Sequence, residues 1–223
     1  VILKNDKAYL LLDTTGKDGL HKRGYRLKST KAPLRETIAA AVVLLSRWNE
    51  NIPLFDPFCG SGTILIEAAL LNIPNVHRTY VSEQWKILKE EWKKLKTKLS
   101  KNNFSGGKIY GSDIDCKAIE IAKQNYARAK SIFNVNYHIE FICTDFKKLK
   151  LVHDSAYVIS NLPYGQRLDI DILSEIRLLR QKFKNAKYYL LHPSDKFENY
   201  FGKATKKFKF QNSGIWTYMY MYY

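Results

Sequence analysis

Leu54-Phe55-Asp56-Pro57-Phe58-Cys59-Gly60-Ser61-Gly62-Thr63 runs from a short apolar segment into a glycine-containing loop, and 64–71 then carry a second apolar segment. Strand, tight loop, helix is the opening of a βαβ unit. The same alternation continues on both sides. Residues 108–113, 137–143, 156–160 and 186–191 read as strands, and 34–48, 115–130 and 170–183 as helices. Strands alternating with helices of this length predict an α/β fold with a mostly parallel sheet and helices on both faces. Residues 206–211 and 215–222 read as an antiparallel pair at a sheet edge. Residues 83–101 place Trp85, Leu88, Trp92, Leu95 and Leu99 at spacings of three and four among lysines, the pattern of an amphipathic basic helix. At the amino end, 1–12 reads as a hairpin turning at Asn5-Asp6-Lys7, followed by a polar, Gly-containing, basic loop to residue 32.

Two hundred and twenty-three residues suffice for one full domain with a core. Lys and Arg number 37 against 21 Asp and Glu, a net charge of +16 that attracts polyanions. An AT-rich coding sequence, which favours Lys, Asn, Ile and Tyr, is the competing explanation of that surplus. Cys59, Cys116 and Cys143 are scattered without a CxxC pair; they predict neither a disulfide framework nor a zinc site, and fit a reducing cytoplasm. No apolar run reaches the ~18 residues a membrane span needs. The expectations are a cytoplasmic protein with no membrane partner and no metal. The chain opens on an apolar strand without an initiator Met, the expectation for a fragment.

In open parallel sheets, ligands bind beyond the carboxyl ends of the strands. Four loops that follow strands are therefore the candidates for chemistry. In the first, Gly60 and Gly62 let backbone approach a ligand closely, although a packing turn explains two glycines as well. Asp56, at the strand end, would repel a pyrophosphate; it suits a cationic ligand, such as the amine or sulfonium of S-adenosylmethionine. In the second, Gly111-Ser112-Asp113-Ile114-Asp115, Asp113 can accept both hydroxyls of a ribose, Ile114 can wall an adenine, and Asp115 reads as a helix cap. In the third, Thr144-Asp145-Phe146, Asp145 can accept from an adenine amino group with Phe146 against the ring; a turn aspartate is the competing reading. The fourth, Asn161-Leu162-Pro163-Tyr164-Gly165, holds an amide oxygen and backbone carbonyls beside an aromatic face. Acceptors of that kind draw the N–H groups of a ring-conjugated amine and favour its pyramidalisation, while Tyr164 stacks on an extruded base.

With these loops in order, the chain resembles a class I methyltransferase, and more closely the catalytic domain of the THUMP-containing RNA methyltransferases, in particular the bacterial 23S ribosomal RNA guanine-N2 methyltransferase family. The resemblance covers nearly the whole chain. It is carried by Gly19-Leu20-His21-Lys22-Arg23-Gly24-Tyr25-Arg26, by Ala32-Pro33-Leu34-Arg35-Glu36-Thr37, and by the Asp56–Thr63 and Asn161–Gly165 loops. It implies a Rossmann-like, seven-stranded sheet with its last strand antiparallel. It implies S-adenosylmethionine as cofactor, with Gly60, Ser61 and Gly62 at the methionine portion, Asp113 at the ribose and Asp145 at the adenine; Asp56, Phe58, Cys59, Thr63, Ile114, Phe146 and Asn161 complete the expected cofactor site. Ala32, Pro33 and Leu34 would close over it, and Asn161, Pro163 and Tyr164 would hold the target amine. Position 162 is Leu where the family usually has Pro, a change expected to loosen the turn. Residues 1–32 do not resemble a THUMP domain, so the expectation is that the RNA-docking module of the family lies outside these residues.

The expected organisation is therefore an N-terminal hairpin and basic loop (1–32) packed on a catalytic domain (33–223). The expected activity is methylation of guanine N2 in 23S ribosomal RNA. A transfer RNA guanine, adenine N6 and a protein glutamine amide are the alternatives that the same turn serves, and a catalytically silent RNA-binding module is the rival of another class. His21, Lys22, Arg23, Tyr25 and Arg26 are expected to bind RNA, because Arg, Tyr and Gly in a loop make poor core. For the lysine-rich helix a solvated face is an equal reading, and its tryptophans read as a buried stripe.

Overall fold

The computed structural model describes residues 1–27, 34–99, 106–135, 137–149, 155–164, 176–212 and 214–223. Seven strands form one sheet: β3 (Leu54–Asp56), β4 (Lys108–Asp113), β5 (His138–Cys143), β6 (Ser155–Asn161), β7 (Asn185–His192), β8 (Lys206–Asn212) and β9 (Ile215–Tyr222), in the order β5-β4-β3-β6-β7-β9-β8. The first five are parallel, and β9 runs antiparallel between β7 and β8. From β3 the chain winds through β4 to β5, then returns to lay β6 on the other side of β3. The topological switch point thus falls between β3 and β6.

Period-two alternation feeds two cores. Leu54, Tyr157, Ile159, Tyr189, Leu191, Met219 and Met221 point to one face, where α1 (Glu36–Ser46), α2 (Thr63–Ala69) and α4 (Cys116–Phe133) pack. Their chain neighbours Phe55, Ala156, Val158, Tyr188, Leu190, Tyr220 and Tyr222 point to the other, against Leu179, Phe183, Phe197 and Phe201 from α5 (Leu178–Lys182), α6 (Glu198–Phe201) and their flanks. Every residue of α2 is buried. Asp115 caps α4 through bonds from the Lys117 and Ala118 amides, as expected.

Several expectations need correction. Residues 83–101 are not one helix: a short 3-10 turn covers Val81–Gln84 and α3 spans only Lys89–Leu99. Trp92 stacks on Tyr80 with centroids 5.0 Å apart, but the stripe is half-buried and Leu95 exposed, because the helix lies on the surface rather than under it. The hairpin exists, as β1 (Ile2–Lys4) and β2 (Lys7–Tyr9), joined by Asn5 and Asp6 in the left-handed conformation that a tight two-residue turn demands. All six strand residues are exposed, whereas residues 24–27 of the basic loop bond to α2 and α4. Cys116 and Cys143 are joined as a disulfide across the start of α4 and the end of β5, against the expectation of none, since neither sequence spacing nor motif reveals which strand ends the sheet brings together. The expected helix over 170–183 is described only from residue 176, with α5 inside it. Among the described residues no helix is long and apolar enough to cross a membrane, and no group of His, Cys, Asp and Glu is arranged to hold a metal.

Candidate active site

The glycine loop, the Asp113 loop and the Asp145 loop are bonded into one rim along the carboxyl ends of β3, β4 and β5. The Asp113 carboxylate accepts from the Gly60 amide at 2.9 Å and from the Asp115 amide at 2.9 Å. The Cys59 amide donates to Ser112 O at 2.9 Å, and the Thr144 amide to Asp113 O at 3.0 Å. Asp113 therefore fixes the glycine loop as well as offering its remaining lone pairs outward. Gly60 and Gly62 both have positive φ, 51° and 79°. A Cβ on Gly62 would lie 3.0 Å from Phe141 and 3.1 Å from Ala122, so glycine is required there for packing as well as for conformation. In β4, a Cβ on Gly111 would collide with Leu65 and press on Cys59, which is how α2 comes close enough to the sheet for the loop to turn where it does.

Asp56 lies at the switch point and is 2% exposed. Its Oδ1 accepts from the Ser160 hydroxyl at 2.6 Å and from the Phe58 amide at 3.2 Å, tying β3 to β6. Burial pushes its carboxyl up to about 7, against the two hydrogen bonds that favour the charged form. The next residue on β6, Asn161, has its Oδ1 shielded from solvent with no hydrogen-bond partner among the described residues. A buried amide oxygen costs about 1–3 kcal/mol when left unpaired, and this one sits at the crevice where such sheets take their ligands. Pro163 and Tyr164 follow half-buried. Leu162 does not loosen the turn as expected: it is fully buried and its amide donates to Leu191 O at 3.1 Å, a bond that proline could not make.

The remaining site expectations divide. Ile114 stands 76% exposed beside Asp113, an open apolar surface. Phe58 is half-buried against Phe146 at 5.2 Å, whereas Phe146 is itself a core side chain, 5% exposed, and leaves little face for a ligand. Asp145 accepts from the Lys147 amide at 2.9 Å and pairs with the Lys147 ammonium at 3.3 Å, so its carboxylate holds the turn that follows. Cys59, Ser61 and Thr63 are buried beneath the loop and present it through backbone; the Cys59 thiol is pushed up by burial. Leu34 is buried with its carbonyl accepting from Arg26 at 2.6 Å. Ala32, Pro33 and Gly165 lie outside the described residues.

In the Arg-Gly-Tyr-Arg segment, Tyr25 is core and Arg26 is half-buried and engaged within the protein, while Gly24 is exposed and Arg23 half-buried. Tyr25 is fully buried and donates to Glu67 at 2.9 Å; no ring face is left for a base. Arg26 is spent on Leu34 O, on Thr63 at 3.0 Å and on Glu36 at 3.4 Å. Buried acids on α1 and α2 recruited these side chains, a partnership invisible in a sequence read one segment at a time. His21, Lys22 and Arg23 remain at the surface or half-buried. One residue escaped the sequence reading altogether. His192 ends β7 beside the Asn161 turn, 1% exposed; its Nδ1 accepts from the Ser194 amide, so Nε2 carries the proton, and Nε2 has no partner among the described residues. The only sequence signal for it is a His at the end of a strand.

The order of strands, the glycine loop fastened by an acidic residue at the end of β4, and an unpaired amide acceptor at the switch point define a Rossmann-like methyltransferase domain. The chain belongs to the UPF0020 family of RMKL-like methyltransferase domains, whose model matches residues 23–206. It is 38% identical over 240 residues to the "Putative RNA methyltransferase YpsC" of Bacillus subtilis (strain 168), an alignment covering 100% of this chain and 60% of that protein. Among solved structures it is similar to "SMU.472, a putative methyltransferase complexed with SAH" (TM-score 0.79, 34% identity, 95% of this chain and 57% of that one). It is also similar to "a predicted N6-adenine-specific DNA methylase from Listeria monocytogenes str. 4b F2365" (TM-score 0.77, 36% identity, 95% of this chain and 56% of that one). The chain thus spans under two thirds of the length of these relatives.

Proposed function

We propose that this chain is the catalytic domain of an S-adenosylmethionine-dependent methyltransferase that modifies an exocyclic amine of a base in RNA, with guanine N2 of 23S ribosomal RNA as the target. The observation that carries it is the Asn161 Oδ1, buried, unpaired and placed where β3 and β6 part. The rim fits the cofactor on its own chemistry. Asp113 has lone pairs in excess of its two amide bonds, Ile114 offers an exposed apolar wall, and the crowding at Gly62 and Gly111 brings backbone close to the strand ends. When bound, the cofactor supplies an electrophilic methyl on a sulfonium.

Asn161 accepts a hydrogen bond from the target amine and draws its lone pair out of the ring; a backbone carbonyl of the turn takes the second N–H. Tyr164 covers the face of the base, and the Leu162 amide anchors the turn to β7. The nitrogen sheds a proton to water once it carries the methyl, so no strong base is required. The +16 net charge supports a nucleic acid substrate, and similarity to a protein named as an RNA methyltransferase supports RNA. Adenine N6 is the second reading, favoured by the name of the Listeria relative. The test is transfer of labelled methyl to ribosomal and transfer RNA followed by nucleoside analysis. N2-methylguanosine in ribosomal RNA is expected. N6-methyladenosine would replace the target, and absence of S-adenosylmethionine binding with RNA binding intact would remove the enzyme.

A further inference from the structure

At the far end of α4 from the catalytic rim lies a cavity of about 600 Å³ built by three segments distant in sequence: 16–24, 75–84 and the last turns of α4. Lys17, Lys22, Arg23, His77, Arg78 and Arg128 line it; the acidic side chain there is Asp18, already paired with Lys22 at 3.0 Å. Two of its guanidiniums are held in place by contacts within the protein. Arg78 donates to the carbonyls of Asp18 and Gly19 and lies over the Tyr80 ring at 5.4 Å. Arg23 lies over the Phe133 ring at 5.4 Å and faces Glu67 at 3.5 Å. On the wall, Tyr80 is fixed by stacking on Trp92 (5.0 Å, 15° between planes). A concavity lined by lysines and by guanidiniums already fixed in place matches the phosphate oxygens of a nucleic acid backbone.

We infer that this pocket is a second RNA contact, gripping backbone phosphates of the strand whose target base enters the Asn161 site; the inference rests on the RNA reading above. From Cys116, beside the rim, to Ile132, on the pocket wall, α4 carries about 24 Å at 1.5 Å per residue. That is roughly seven steps of a stacked strand at about 3.4 Å per step. The site thus grips RNA flanking the target rather than the target itself, and it makes methylation depend on the length of the substrate.

The experiment is fluorescence anisotropy of a labelled single-stranded RNA, titrated across salt, with the intact chain and the Lys17→Gln/Lys22→Gln/Arg128→Gln variant. Affinity is expected to fall roughly tenfold or more, and the log–log salt slope to flatten by about 0.7 per phosphate lost, so by about two. S-adenosylmethionine affinity and melting temperature should hold. Because Arg128 also donates to Gly24 O at 2.8 Å, Lys17→Glu, an exposed side chain, provides a second variant with the same direction of effect. Wild-type affinity and slope in both variants, with the parent chain binding RNA, would overturn the pocket and leave the proposed function standing. Failure of the parent chain to bind RNA would instead strike the proposed function. Equal binding of a DNA duplex, or displacement of RNA by inorganic phosphate at matched ionic strength, would overturn the RNA assignment.

Discussion

Asn161→Ala separates catalysis from stability more sharply than any other change in this fold. In most buried positions, truncation removes a satisfied contact and the fold weakens. Here the Oδ1 has no protein partner among the described residues, and a buried amide oxygen left without one costs the folded state about 1–3 kcal/mol. Alanine relieves that cost and loses little packing. The melting temperature should therefore stay level or rise, by about 2–4 °C for each kcal/mol relieved in a chain of this size. In catalysis the same oxygen accepts from an amine developing positive charge, a bond of about 1.5–3 kcal/mol. Its removal should lower methyl transfer by about 10- to 150-fold, with cofactor affinity changed less than about tenfold. Asn161→Asp keeps an acceptor oxygen and should lose less. The assays are scintillation counting of labelled methyl in RNA and thermal denaturation of the same preparations. A melting temperature several degrees lower, with transfer within threefold of the parent, would refute the reasoning: Asn161 would then be holding the turn rather than the amine.

Tyr25→Phe deletes the hydroxyl bonded to Glu67 at 2.9 Å in a fully buried pair, and should cost about 1.5–3 kcal/mol in chemical denaturation; a loss under about 0.5 would show that the bond is idle. Gly111→Ala overpacks the contact with Leu65 and Cys59 and should cost about 1–3 kcal/mol while weakening cofactor binding measured by calorimetry; an unaffected affinity would detach the glycine loop from cofactor binding. Asp56 and Glu67 are both pushed up to about 7 by burial, from ordinary values of 3.8 and 4.5. Between about pH 4 and 7 the folded state thus holds more protons than the unfolded one, and these groups make stability fall as pH rises through that window. Asp56→Asn should flatten the fall in melting temperature; an unchanged profile would place the titration elsewhere.

The parallel core of the sheet was legible because strands buried on both faces leave dense apolar runs, as in 186–191, and because Gly60, Gly62 and Asp115 mark turns and caps by conformation alone. The terminal pair was legible too, although its inner strand is β9 and its edge is β8. What was not legible depended on partners far away in sequence. Tyr25 and Arg26 look like surface residues until Glu67 and Glu36 are placed beside them. Cys116 and Cys143 look unrelated until β4 and β5 align. The hairpin's apolar residues look like core and are exposed, since alternation reports a pattern and not a neighbour. At the site, the acidic strand ends and the Asn161 turn were visible as motifs, whereas the unpaired state of the Asn161 oxygen and the position of His192 required the fold.

The placement of β9 inside β8 has a bearing on synthesis. Since β8 touches the rest of the sheet only through β9, the segment 206–212 emerges from the ribosome before the strand that will receive it exists. Until residues 215–222 follow, the antiparallel edge of β7 stands open. At about 5–20 residues per second that interval lasts about a second, and during it the nascent chain carries an unpaired, tyrosine-rich strand edge for chaperones to cover.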